Sequence, residues 1–250
     1  MNTDLEKLFD IPGRNGGILD ISKFVCPQGV RILALAPHSD DFDINAITLK
    51  HFQNAGAIIR LDVFSLDNGV EPDFEPQTPQ AEIRKREQLA SLSFFGLDIE
   101  AVKFLDTVCD HTGQTTYHSK NRDIIANCIS EFAPDMIFTP HPNDTNPAHQ
   151  SINRMLYEVK VGKDIIVMHN HDPKTLDMKP SAFMPYDSKQ AKWKAQLLRH
   201  HQSQHSRNLK TRGYGFDDRI LSVSKEAAKN CRLNCEYAEI FEVRKLAANC

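Results

Sequence analysis

Short, nearly unbroken apolar runs alternate along this chain with longer segments whose apolar residues recur at helical spacing. Residues 30–36, Val-Arg-Ile-Leu-Ala-Leu-Ala, are too few for a helix and stop at Pro37, so they predict a buried strand. From Asp43 to Asn54, Ile44, Ile47, Leu49 and Phe52 recur at roughly helical spacing and Gly56 follows as a stop, which predicts a helix. Residues 57–64 read as a second strand, closed by the turn residues Asp67, Asn68 and Gly69. A loop rich in proline and acid precedes a helix from near Gln80 to Phe95, ended by Gly96. Further strands are predicted over residues 101–105, 135–139, 164–168 and 237–243, and helices over 122–132 and 189–201. Residues 1–29, with Gly13, Gly16 and Gly17, predict a surface lead-in to a single domain over residues 30–250, without internal repeat or linker.

Strand and helix in alternation imply an α/β fold: a Rossmann-like three-layer sandwich, with a mainly parallel sheet and helices on both faces. Composition agrees. Of the 250 residues 40% are hydrophobic and 25% charged, the balance of a soluble globular protein, and a net charge of -3 offers no general attraction to nucleic acid or anionic lipid. The first nine residues lack the apolar core of a secretory signal, and no apolar run approaches the roughly 20 residues that span a bilayer. The cysteines (Cys26, Cys109, Cys128, Cys231, Cys235, Cys250) are scattered, and Cys231 with Cys235 suits neighbouring turns of a helix better than a zinc knuckle. Free thiols and a cytoplasmic location are expected.

Two polar clusters directly follow predicted strands: His38-Ser-Asp-Asp41, and the run from His141 to His149 that contains Asp144 and Asn146. Both therefore stand at strand carboxyl ends, the edge where open α/β sheets bind ligands. Histidine and carboxylate suit a divalent transition metal, and His38, one aspartate and a histidine of the second cluster supply such a set. Adjacent aspartates point different ways, so one can bind a metal while the other faces water as a general base.

At these residues the sequence resembles the PIG-L/LmbE-like family of metal-dependent de-N-acetylases, whose members act on N-acetylglucosaminyl-phosphatidylinositol, mycothiol and bacillithiol precursors. The family's His-Pro-Asp-Asp-Glu stands here as His38-Ser39-Asp40-Asp41-Phe42, and its longer second motif is matched by His141, Pro142, Asp144, Pro147 and His149. Weaker echoes are Arg84-x-x-Glu87, His201-Gln-Ser-Gln204 and residues 237–241. The resemblance implies His38, Asp41 and His149 as ligands to Zn2+, with Fe2+ or another divalent metal as an alternative, and Asp40 as general base. Arg84, His141 and Asp144 become candidate substrate contacts. The implied substrate is an N-acetylated amino sugar or its conjugate, cleaved to acetate and a free amine. Asn146 replaces a family histidine and Ala148 a family aspartate. Asparagine can donate to an oxyanion but carries no proton to a leaving amine, so protonated Asp40, or more distantly His171, is expected to serve as acid. A binding module that has lost catalysis, and an amidase or esterase on a non-sugar substrate, are the competing readings.

Overall fold

Alternate side chains of one apolar strand enter two different cores. In β2 (Arg31–His38), Ile32, Ala34 and Ala36 join one buried cluster while Leu33 and Leu35 join another. A strand apolar at every position is what a sheet covered on both faces requires. The computed structural model, which describes Leu5 and residues 17–248, repeats this in β5 (Met136–Pro140) and β6 (Ile165–Asn170). Gly13, Gly16 and Cys250 lie outside the described residues.

The remaining strands are β1 (Leu19–Asp20), β3 (Ile58–Ser65), β4 (Val102–Phe104), β7 (Ala182–Tyr186) and β8 (Tyr237–Leu246). They form one sheet of eight strands in the order β1-β7-β8-β6-β5-β2-β3-β4. Five strands, β4-β3-β2-β5-β6, run parallel, whereas β8 is antiparallel to both its neighbours, β6 and β7. Helices α1 (Ala46–Asn54), α2 (Gln80–Phe95) and α5 (Ser188–Leu198) cover one face; α3 (Ser119–Phe132) and α4 (Pro147–Leu156) cover the other. This is the predicted three-layer α/β sandwich. No helix among the described residues is long and apolar enough to cross a membrane.

Several elements differ from the sequence expectation. Leu19–Asp20, within the segment read as a lead-in, pairs in parallel with β7 at the sheet edge. The helix expected over 189–201 stops at Leu198, and a second helix, α6 (Gln202–Arg212), begins beyond the break. His201, fully buried at that break, places its ring 2.5 Å from Asp43 Oδ2, which fixes the chain where a continuous helix would have carried it away. A further helix, α7 (Phe216–Asn230), precedes β8, and Cys231 caps its end with Cys235 in the following loop, so the two cysteines do not share helical turns. The described cysteines are free thiols.

The start of α1 is clamped by a buried charge pair. Glu239 of β8 accepts hydrogen bonds from the backbone N–H groups of Ile47 (3.0 Å) and Thr48 (2.9 Å) and from the Thr48 hydroxyl (2.5 Å). Lys194 of α5, fully buried, donates to Glu239 at 2.7 Å and to the Ile44 carbonyl at 2.6 Å. A carboxylate against unsatisfied N–H groups at the positive end of a helix is well placed, and the lysine completes its neutralisation. Removing one partner strands the other charge in the interior. Glu239→Ala is therefore expected to lower unfolding free energy by about 3–5 kcal/mol in urea denaturation. A loss below about 1 kcal/mol, the level of an exposed pair, would contradict the role of this clamp.

Candidate metal centre

The strand order reverses between β2 and β5: β3 and β4 extend to one side, β6 to the other. The connections leaving the two strands must part there, which opens a crevice at their carboxyl ends. His38 is the last residue of β2. In the turn that follows, Asp41 N–H donates to the His38 carbonyl (3.3 Å) and Asp41 Oδ2 accepts from His38 N–H (2.8 Å), folding the carboxylate back onto the histidine. From the other side, Asp144 Oδ1 accepts from Asn146 N–H (2.6 Å), and Asn146 Oδ1 caps α4 by accepting from Ala148 N–H (2.9 Å). Pro147 opens that helix and His149 is its third residue, so the cap delivers His149 into the crevice.

Three side chains converge. His38 Nδ1 lies 3.1 Å from Asp41 Oδ2, His149 Nε2 lies 3.3 Å from His38 Nδ1, and His149 Nε2 lies 3.4 Å from Asp41 Oδ1. Two donors each about 2.0–2.1 Å from a tetrahedral metal stand about 3.3–3.4 Å apart, so these spacings are those of atoms that can share one ion. The ring contacts agree in tautomer. Gln114 Oε1, 3.0 Å from His38 Nε2, takes its proton and leaves the Nδ1 lone pair facing Asp41. Behind His149, Asp144 Oδ2 sits 3.1 Å and Asp172 Oδ2 3.7 Å from Nδ1, favouring the proton there and leaving Nε2 facing inward.

The electrostatics ask for a cation. Burial disfavours charge on His149, but Asp41, Asp144 and Asp172 outweigh it and push its pKa up to about 10. Burial likewise opposes ionisation of Asp41, yet His149 and His38 hold its carboxyl well below the usual range. A divalent metal would satisfy the same carboxylates and displace the proton, since a ligating imidazole must be neutral. The donor set of two imidazoles and a carboxylate fits zinc or iron(II); His38, Asp41 and His149 are all buried.

Asp40 lies beside this cluster and forms an ion pair with Arg84. Burial raises its pKa, but the guanidinium prevails and holds it at about 2. Arg84 also lies 3.7 Å from Glu87, which accepts from the Ser203 N–H (2.5 Å) and hydroxyl (2.8 Å). The separate echoes around Arg84 and His201 thus meet in space. A cavity of about 240 Å³ opens here, walled by Asp40, Asp41, Asn146 and Asp172, and an adjoining space of about 270 Å³ reaches His38 and Arg84.

Two expected substrate contacts sit elsewhere. His141 is 2% exposed, with Nε2 3.1 Å from Glu242 and Nδ1 accepting from Asn143 N–H, and it lines neither space. Asp144 is fully buried behind His149, which makes it a support for that ring instead of a cavity wall. His171 faces other spaces, beside Pro173 and Glu226. Sequence reading missed Asp172, whose pKa burial and Asp144 raise to about 6 against the opposing charge of His149. It was accessible by the logic used for the other clusters, because it follows β6 at the same sheet edge.

The family model described as PIG-L: GlcNAc-PI de-N-acetylase matches residues 33–160, just over half of the chain. No curated protein matches the sequence. Among solved structures, N,N'-diacetylchitobiose deacetylase from Pyrococcus horikoshii is 16% identical with a TM-score of 0.65, over 86% of this chain and 83% of that one. The A40926 pseudoaglycone deacetylase Dbv21 is 18% identical with a TM-score of 0.62, over 88% of this chain and 99% of that one. GalB, the 4-carboxy-2-hydroxymuconate hydratase from Pseudomonas putida KT2440, is 16% identical with a TM-score of 0.59, over 86% of this chain and 95% of that one. The last shows that the fold alone does not name the reaction. The matched segment contains both strand-end clusters, from His38 to His149, and by it the chain belongs to the PIG-L family of GlcNAc-PI de-N-acetylases.

Proposed function

We propose that this protein is a metal-dependent N-deacetylase that hydrolyses the acetamide of an N-acetylated amino sugar or its conjugate. The observation that carries the reading is the convergence of His38, Asp41 and His149 within 3.4 Å beside a cavity that Asp40 also lines. Family membership supports the reaction class.

His38, Asp41 and His149 would hold a divalent metal, which would supply Lewis acidity toward the amide carbonyl and toward the attacking water. Asp40, ionised throughout the neutral range, takes a proton from the attacking water as its oxygen bonds to the carbonyl carbon. Arg84 holds that carboxylate in place and makes its protonated form a strong acid. Asp40 then passes the proton to the departing nitrogen as the C–N bond breaks, yielding acetate and a free amine. This second duty matters because Asn146 has no titratable proton to give. Asn146 Oδ1 is committed to capping α4, which leaves Nδ2 to donate toward the carbonyl oxygen as negative charge develops. Asp144 orients the His149 ring from behind.

Acetate release from a panel of N-acetylated amino sugars, with bound metal measured in parallel, tests the reading; no acetate from any of them with the metal in place overturns it. Asp40→Asn is expected to reduce turnover by about 10²–10⁴-fold with metal content unchanged. Near-normal turnover in that variant would remove Asp40 from the mechanism. Asp144→Ala is expected to weaken metal binding by about 10–100-fold in chelator competition, and an unchanged affinity would refute its orienting role.

A further inference from the structure

The inner wall of the cavity is acidic, with Asp40, Asp41 and Asp172, but its outer wall carries Lys174, Arg207, Arg212 and Arg219. Two of these cations have local reasons to be there. Arg207 pairs with Glu71 at 3.3 Å, and Arg212 lies in the last turn of α6, where the helix dipole favours positive charge.

Arg219 has no such reason. It is the fourth residue of α7, within the first turn, where the helix dipole disfavours a cation. It is half-buried, and its guanidinium makes no hydrogen bond or ion pair among the described residues. The acids nearest in sequence are engaged elsewhere: Asp217 contacts Arg199 (2.7 Å) and His205 (3.0 Å), and Asp218 accepts from Gly215 N–H (3.1 Å). Burial and the like charge of Arg212 depress its pKa, while Asp172, Tyr214 and Asp40 oppose that only in part. Lys174 is also half-buried, and its ammonium has no partner among the described residues. Desolvated cations without counter-ions are costly unless something in the cavity neutralises them.

We propose that Lys174 and Arg219, aided by Arg207 and Arg212, form an anion subsite that binds a phosphate or carboxylate group borne by the amino-sugar substrate. The inference rests on the deacetylase reading for the other end of that substrate. The polarity of the cavity then orients the ligand: the acidic inner wall repels the anion, and the basic outer wall draws it away from the acetamide. Asn208 adds a sugar-facing contact. It is 3% exposed, lines the same cavity, and its Oδ1 is buried without a hydrogen-bond partner, so it can accept from a ligand hydroxyl.

The test is calorimetric binding to the metal-loaded full chain. The ligands are N-acetylglucosamine 1-phosphate, its 6-phosphate, N-acetylmuramic acid and neutral methyl N-acetylglucosaminide. At least one anionic sugar is expected to bind tenfold or more tightly than the neutral one, and the arm that does so separates phosphate from carboxylate. R219Q is expected to collapse that preference toward unity, with K174Q as the second variant if R219Q does not fold. K225Q, at the far side of the same helix, is expected to keep it. Equal affinities for neutral and anionic sugars, no measurable binding of any anionic arm, or a preference surviving in folded R219Q and K174Q would each overturn the subsite. Acetate release separates the two claims: the binding preference with no acetate released from any of the sugars refutes the deacetylase reading alone. Equal kcat/KM for neutral and anionic sugars refutes the subsite alone.

Discussion

The reversal of strand order between β2 and β5 is the constraint on which the rest of this molecule depends. A chain that leaves two adjacent parallel strands in opposite directions cannot fill the space between its departing connections, so a crevice forms at their carboxyl ends. His38 ends β2 and His149 is the third residue of the helix that follows β5, so both stand at the mouth of the crevice. Asp172 arrives from the end of β6, the next parallel strand. The buried Glu239–Lys194 pair serves the same end, because it fixes the start of α1 just beyond the His38–Asp41 turn.

Charge balance follows from that placement. Asp41, Asp144 and Asp172 crowd around one imidazole pair, an arrangement that is unfavourable in the interior unless positive charge sits among them. Asp40 stands beside them but is neutralised separately by Arg84. The two adjacent aspartates are thereby differentiated by their partners: one faces the imidazoles, the other a guanidinium. Farther out the sign changes, and the cationic wall leaves a cavity with opposite charges at its two ends.

Much of the central sheet was legible because its strands are covered on both faces and read as continuous apolar runs. The helix over 80–95 was legible from its spacing and from Gly96, which caps it in the left-handed region at φ 85°. What escaped was polar. α4 begins with the recognisable pair Asn146-Pro147, but His149, Gln150, Asn153 and Arg154 obscured the apolar face formed by Ile152, Met155 and Leu156. α6 reads Gln-Ser-Gln-His-Ser-Arg-Asn at its start and has almost no apolar stripe. The sequence run 189–201 looked like one helix because nothing local announces that Asp43, distant in sequence, holds His201. In the site, the strand-end rule placed the His38–Asp41 and His141–His149 clusters at one sheet edge and the family resemblance singled out Asp41 and His149 within them, whereas the backing role of Asp144 and the reach of Gln114 depend on contacts between distant loops. Arg219 was illegible for the same reason: its significance lies in having no partner, which a sequence cannot display.

The central claim is that this topology brings two imidazoles and a carboxylate from separate strand ends to a single metal. X-ray absorption spectroscopy on the protein loaded with one equivalent of zinc tests it most directly, read alongside His38→Ala and His149→Ala. The account predicts two imidazole nitrogens with oxygen donors at about 2.0–2.1 Å, and the loss of one imidazole in each variant. Thiolate scattering, or an unchanged spectrum in either variant, would contradict it.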